Sequence, residues 1–293
     1  MADYRLITDA TCDMNLDLLE KRDIDVIPME VVLNGKTFLH YPDFRNCSAE
    51  DFYGALTAGG QAHTAQITPQ NYFDFFTPIL KNGEDILYVC FSSGLSGTYQ
   101  SSVLAVNQLR QEFPDRKIYT VDSLCACGGE GMFAMSAADN RDAGMTIEEN
   151  AEWLEQNRLR LAHYFTTSDL FFLKRGGRVS AAAAIAGTAL QIKPVLIVDE
   201  EGKLPVLAKA HGRRASISRL LQMTKTTIEN PEDQIIYISQ GNCMDDALLL
   251  KQMVLEQLPV KDVIITTVGP VIGCHTGPTL LCIFSYGRNR RGE

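Results

Sequence analysis

Long apolar runs are missing from this chain of 293 residues. None approaches the roughly 20 residues needed to span a bilayer. The nearest is residues 181–190, closed off by Gln191, Lys193 and Pro194. The first residues, MADYRLITDATCD, enter a strand pattern at once, without the charged-then-apolar order of a secretory leader. Positive charge is scarce too: 27 Lys and Arg stand against 36 Asp and Glu, a net charge of -9. Neutralising phosphates needs clustered Lys and Arg, so nucleic acid is excluded as a partner. The basic clusters are 174–178, 209–219 and the tail 288–291, with no aromatics interleaved. Cysteine lacks a pattern: the eight are scattered, several in apolar strands where a thiol serves as a small hydrophobe. Cys125 and Cys127 are too close for an easy disulfide, and no second pair completes a zinc site. All eight read as reduced, and the protein as cytoplasmic.

Most catalytic signatures are lacking as well. There is no G-x-S-x-G elbow for nucleophilic hydrolysis. His40, His63, His163, His211 and His275 are far apart in sequence, which gives no metal-ligand spacing. No Lys-Ser/Thr follows the Gly128-Gly129-Glu130-Gly131 stretch, so it is no Walker loop, and G-x-G-x-x-G is absent. No acidic magnesium set accompanies a phosphate cradle. No cofactor or metal ion is expected.

What is there centres on residues 91–102, FSSGLSGTYQSS. The apolar run 86–91 stops at hydroxyl-bearing residues and two glycines, and a helical pattern begins at once, with Tyr99, Val103, Val106, Leu109 and Phe113 on one face. Ser96 suits an N-cap, helix N-termini attract oxyanions, and Gly94 and Gly97 let main chain approach whatever binds. An ordinary βα turn explains the stretch equally well until other segments agree.

Elsewhere in the first half, Asp13 is expected to cap a helix at 16–21 and Asp9 to stabilise its own turn. Two β-like runs flank the Asn34-Gly35 turn. Ser48 caps a short helix, and Pro69 opens another at 71–80. Three glycines in 128–131 signal crowded backbone. Strand and helix alternate with short connections, which predicts a mainly parallel α/β sandwich over residues 1–160. After Arg160 a hairpin at 194–208 and later strands predict an α+β domain over 161–293. The two domains are expected to pack closely with a cleft between them, and residues 181–190 to form a small-residue helix. Thr64, Ser92, Ser93 and Ser96 offer hydroxyls, and His275 offers a ring N–H from a glycine-rich loop. Arg175 and Arg178 offer charge at the cleft mouth.

The segments ITDATCD, TAQITP, SSGLSGTYQS, VDS with GGEG, FLKRGGR, LQIKPVLIVDEEG, KAHGRRAS and GPVIGCHTGPTLL occur in the order expected of the DegV family. The chain resembles that family over essentially its whole length. The resemblance implies a two-domain protein that binds one long-chain fatty acid between its domains. It also implies, as for some members, the acid-carrying subunit of a bacterial fatty acid kinase, whose separate ATP-using subunit phosphorylates the carboxylate. On this resemblance the carboxylate ligands are Thr64, a serine of the SSGLSG segment (Ser93 or Ser96) and His275, with no catalytic residue. The basic segments with Arg175, Arg178, Arg213 and Arg214 would face the kinase subunit. Ala65 stands where the family usually has serine, Ile67 where proline is usual, and His211 where arginine is frequent.

Elementary energetics agree. A buried methylene is worth ~0.8 kcal/mol, so a 16-carbon chain gains on the order of 11 kcal/mol before association costs. The carboxylate needs only a few hydrogen bonds to avoid a desolvation penalty. An alternative of a different class is a catalytic subunit of a dihydroxyacetone-kinase-like phosphotransferase, holding a ketone covalently on a histidine.

Overall fold

Alternating strands and helices build the first half of the molecule, whose computed structural model describes residues 4–168, 170–180 and 191–291. The small-residue helix expected at 181–190 lies outside the described residues. Strands β1 (Tyr4–Asp9) and β2 (Ile24–Ile27) join two later strands, β6 (Asp85–Cys90) and β7 (Ile118–Asp122), in an all-parallel sheet of order β2-β1-β6-β7. Successive residues of β1 and β6 serve different cores. Leu6, Leu87 and Val89 join one cluster; Ile7, Ile86, Tyr88 and Cys90 join another. Burial on both faces is why β6 reads as an unbroken apolar run from Ile86 to Cys90.

At the side, β3 (Met29–Leu33), β4 (Lys36–His40) and β5 (Ala62–Thr64) form a small antiparallel sheet. Asn34 and Gly35 both take positive φ, 51° and 79°, as a tight Asn-Gly hairpin turn requires. Ser48 accepts the Asp51 N–H at 3.0 Å, as expected of a cap. Thr68 and Asn71 cap each other reciprocally before the helix Pro69–Lys81. Asp13, by contrast, does not cap the helix Leu16–Glu20; Asn15 holds that position. Asp13 adopts φ 44° and accepts the Gly269 N–H at 2.7 Å, a partner 256 residues away. Tertiary contact outcompetes the local one.

The second sheet comprises β8 (Leu161–Thr166), β9 (Ile192–Ile197), β10 (Val206–His211), β11 (Ile235–Gln240), β12 (Asp262–Thr267) and β13 (Leu281–Tyr286). Its order is β10-β9-β8-β13-β11-β12, with only β11 and β12 parallel. Helices Arg213–Thr227 and Met244–Gln257 cover the face bearing Ala162, Tyr164, Ile238 and Ile283. The opposite face, with Phe165, Leu196, Tyr237 and Phe284, shares a cluster with Leu6, Val89 and Phe133 of the first half.

Helix Gly128–Asp142 lies between the sheets, touching β1 and β6 as well as β8, β11 and β13. Of its residues only Ser136, Asp139, Asn140 and Asp142 are not buried. A helix buried all round has no amphipathic stripe to read. Met132, Phe133 and Met135 each contribute about 1.5–3 kcal/mol by burial. The crowding expected of its glycines is present: a Cβ on Gly129 would lie 2.1 Å from His163 Nε2.

Candidate functional site

The chain leaves β1 for β2 on one side and reaches β6 on the other, so the sheet order reverses beyond the ends of β1 and β6. Open α/β sheets form their ligand crevice at such a point. Here it opens onto a cavity of ≈ 260 Å³ whose walls come from both halves of the molecule. That exceeds the roughly 150 Å³ apolar cavity that admits benzene. Phe91, Leu95, Phe165, Leu173, Val271 and Ile272 make it mainly apolar. One wall follows the two-residue strand period: Cys282 and Phe284 of β13 face it, with Phe165 and His163 opposite them on β8.

Polar groups interrupt this lining, two of them in direct contact. Thr64 closes β5, and His275 occupies the last turn of helix Pro270–Thr276, where the sequence had indicated a loop. Pro270 starts that helix because a missing N–H costs nothing at its first position. Thr64 Oγ1 and His275 Nε2 are 2.8 Å apart. Burial lowers the His275 pKa to about 4, with Arg178 and Arg175 pushing the same way. The ring is therefore neutral at neutral pH. With its proton on Nε2, His275 donates to Thr64 Oγ1 and frees the threonine O–H to donate to an anion.

Ser96 also lines the cavity. The following helix, Thr98–Glu112, is capped by Gly97, one residue later than expected. Ser96 Oγ still accepts the Thr98 N–H at 3.3 Å and lies 2.9 Å from Thr98 Oγ1. If both groups of Thr98 donate, the Ser96 proton points elsewhere. Ser93 is not among the lining residues; its main-chain N–H donates to Asp122 Oδ1 at 3.1 Å. Gly94 admits the protein's own backbone instead of a ligand: a Cβ there would stand 2.4 Å from Glu201 O. Ser92 binds the same hairpin turn, its Oγ donating to Gly202 O at 2.9 Å.

The four basic candidates separate. Arg178 lines the cavity, and its guanidinium donates to Leu95 O at 3.2 Å and to Gly176 O. Arg175 lies over the Phe171 and Phe172 rings at 5.5 and 5.0 Å. A second pocket, which shares Thr64 and His275 with the cavity, is lined in part by His63, Phe171, Arg175 and Arg178. Arg213 is already engaged: it donates to Asp246 Oδ2 and Thr279 O, both at 2.8 Å. Arg214 is exposed.

Among the polar lining residues, sequence reasoning did not single out Thr11, Gln66, His163 or Thr276. Period-two alternation with Phe165 was the available signal for His163. Ala65 lines the cavity and Ile67 is buried beside it, while His211 is exposed at the end of β10. Among the described residues no group of three or more His, Cys, Asp or Glu is placed to hold a metal ion. Among them, too, no helix is long and apolar enough to cross a membrane.

The chain matches the family model described as "Uncharacterised protein, DegV family" over residues 3–288. A DegV domain-containing protein of Clostridium perfringens is 37% identical over 287 residues, 98% of each chain. A DegV family protein of Thermus thermophilus, described by its fatty acid binding, superposes with a TM-score of 0.87 at 30% identity, covering 97% of this chain and 99% of that one. The fatty acid kinase B3 protein of Streptococcus pneumoniae, loaded with linoleic acid, shares the fold with a TM-score of 0.83 at 22% identity, covering 98% and 99%. With a match over nearly its entire length, on a sheet reversal that opens onto an apolar cavity, the chain belongs to the DegV family.

Proposed function

We propose that the protein carries one long-chain fatty acid in this cavity and presents it to a separate kinase subunit, which phosphorylates the carboxylate to an acyl-phosphate. Residues 1–160 and 161–293 are the two domains that enclose the ligand. Thr64, Ser96 and His275 hold the head group. The observation that carries this reading is the Thr64–His275 pair, 2.8 Å apart in the wall of a mainly apolar cavity. Fatty acid binding by the Thermus thermophilus relative supports the choice of ligand.

The donor set suits the chemistry. The Thr64 and Ser96 hydroxyls, the first oriented by the neutral His275 imidazole, satisfy a carboxylate with a few hydrogen bonds, each worth roughly 0.5–1.5 kcal/mol net. They do not clamp both oxygens as a bidentate arginine would. Arg178 is near enough to add positive potential, yet its donors go to two main-chain carbonyls. The carboxylate therefore keeps an oxygen free to attack a phosphoryl group supplied from outside. Arg175, Arg178 and the exposed Arg214 form the partner-facing rim, and Arg213 braces it from behind. The protein is a carrier in this scheme, with no catalytic residue of its own.

Organic extraction of protein purified without added lipid, followed by mass spectrometry, should release close to one acyl acid per chain. A well-folded sample that is reproducibly empty overturns the proposal. Arg175→Glu should leave the lipid content unchanged while slowing acyl-phosphate formation with the cognate kinase.

A further inference from the structure

We infer that Arg290, from the basic tail 288–291, is a positioning residue for the acid site. It ties the turn between β9 and β10 and the loop after β7 to Ser92, and through Ser92 it fixes Leu95 and Ser96 in the cavity wall. The inference rests on the fatty acid reading above. Arg290 is 1% exposed. Its Nη1 donates to Asp199 O at 2.7 Å. Its Nη2 donates to Arg158 O at 3.0 Å and to Cys125 Sγ at 3.3 Å. Nε has no hydrogen-bond partner among the described residues. Main-chain carbonyls and a thiol accept these bonds, so the charge is buried without a carboxylate on it. A guanidinium held this way costs desolvation and contributes little net stability. What it fixes is geometry.

The two segments that meet at the guanidinium meet again at Ser92. Asp199 O also accepts the Gly202 N–H at 3.0 Å, and Gly202 O accepts Ser92 Oγ at 2.9 Å. From the other side, Cys125 O accepts the Ser92 N–H at 3.0 Å. Ser92 O in turn accepts the Leu95 and Ser96 N–H groups at 3.1 and 3.3 Å. Leu95 and Ser96 line the cavity; Ser92 and Arg290 do not. A continuous path of hydrogen bonds therefore runs from the tail to the serine assigned to the carboxylate.

The far end of that path is itself anchored. Tyr164 Oη, on β8, donates to Arg290 O at 2.9 Å, which fixes the tail to the second sheet. Arg291 Nε lies 3.1 Å from Glu200 Oε1 of the same turn that Arg290 holds. Binding groups need to sit within about 0.5 Å of their productive positions, and supporting contacts of this kind keep them there. Loss of the guanidinium frees the turn and the loop to move apart, and Ser92 is attached to both.

Arg290→Met keeps the apolar stem and removes the charged end, while Asp199 O retains the Gly202 N–H as a donor. Ser92→Ala cuts the same path at its other end. Titration of the delipidated full chain with oleic acid should show each variant weakened by roughly three- to tenfold. Because both changes break one path, the double variant should lie within about twofold of the weaker single variant, whereas independent structural losses would multiply. In the unaltered protein, the nitrogen-15 resonance of Arg290 Nε should move when oleic acid is loaded, and that of Arg141, buried elsewhere and absent from the cavity wall, should not. This readout needs no variant, so a misfolded Arg290→Met leaves the test intact. Unchanged oleic acid affinity in Arg290→Met, losses that multiply in the double variant, or an unmoved Arg290 resonance overturns the inference and leaves fatty acid carriage standing. Failure of the unaltered protein to bind oleic acid overturns both.

Discussion

The turns that follow β1 and β6 are alike in composition and opposite in use. Both leave adjacent parallel strands at the sheet reversal, and both are rich in hydroxyls. After β1 the polar groups close on one another. Asp9 Oδ1 accepts the Thr11 N–H at 3.1 Å and lies 2.5 Å from Thr11 Oγ1. Asp9 Oδ2 accepts from Tyr88 Oη at 2.7 Å and from the Phe91 N–H at 3.2 Å. Thr11 Oγ1 is also 2.6 Å from Glu130 Oε2. One hydroxyl proton cannot serve two carboxylates, so the second contact needs a proton on the other acid. Burial, with the nearby Asp9 charge, pushes Glu130 well above the usual carboxylate range and makes it that acid. After β6, Ser96 accepts the Thr98 N–H and lines the cavity. Hydroxyl content therefore marks where polar partners are needed, and tertiary placement decides whether the protein or a ligand supplies them.

The sharpest way to break this contrast is to open the closed turn. Asp9→Ala would leave the Thr11, Tyr88 and Phe91 donors without their acceptor in a fully buried site. The expected loss is about 3–5 kcal/mol, since several buried donors and a buried charge network are disrupted at once. Urea denaturation at neutral pH measures it. A loss below about 1 kcal/mol would mean that the turn is not sealed as described.

Much of this was legible in the chain and some was not. The parallel sheet announced itself through strands and helices alternating with short connections, and the cap Ser48 and the helix-opening Pro69 act locally, where spacing is informative. Thr64 and His275 were placed together only by family resemblance. They lie 211 positions apart, and no local rule connects them. Asp13 misled because a capping pattern was available nearby and a distant N–H took it instead. A helix was legible over 132–140, but its buried, glycine-rich first turn, which extends it back to Gly128, read as a loop. His163 was passed over because a single histidine in an apolar strand reads as core.

A second test concerns the neutral ring at the mouth. His275 titrates at about 4 in the folded protein against 6.5 when free. The unfolded chain thus binds more protons between those values, and stability falls as pH drops from 6.5 through about 4. Full stability from this group is present above 6.5. The gap corresponds to about 3 kcal/mol over the whole window. Chemical denaturation of wild type and His275→Phe across that range should show a shallower loss in the variant. His40, also held at about 4, contributes equally to both proteins and cancels in the difference. Parallel pH profiles would mean that the His275 ring is hydrated.

Smaller effects are expected at the head-group contacts. Thr64→Val removes one polar contact, so fatty acid binding should weaken by roughly 0.5–1.5 kcal/mol without emptying the cavity. The tail supplies most of the affinity, so a matched fatty alcohol should be nearly insensitive to the same change. Titration calorimetry with acid and alcohol of equal length gives the comparison. Equal losses for both ligands would reduce Thr64 to a wall residue.

The smallest predicted difference separates two serines three positions apart in the open turn. Ser96 lines the cavity and accepts from Thr98, which leaves its proton available to a carboxylate. Ser96→Ala should weaken acid binding about two- to fivefold, the low end for a single neutral hydrogen bond. Part of that loss could come from the helix end, because Ser96 also satisfies the Thr98 N–H. The fatty alcohol separates the two causes: a frayed helix end weakens both ligands, and a lost carboxylate contact weakens only the acid. Ser93→Ala is the internal control. Ser93 ties its turn to Asp122 through the main-chain N–H, which alanine retains, so acid affinity should stay within experimental error. An acid-specific loss at Ser93 and none at Ser96 would reverse the assignment of the two serines. The open turn would then present a different edge to its ligand.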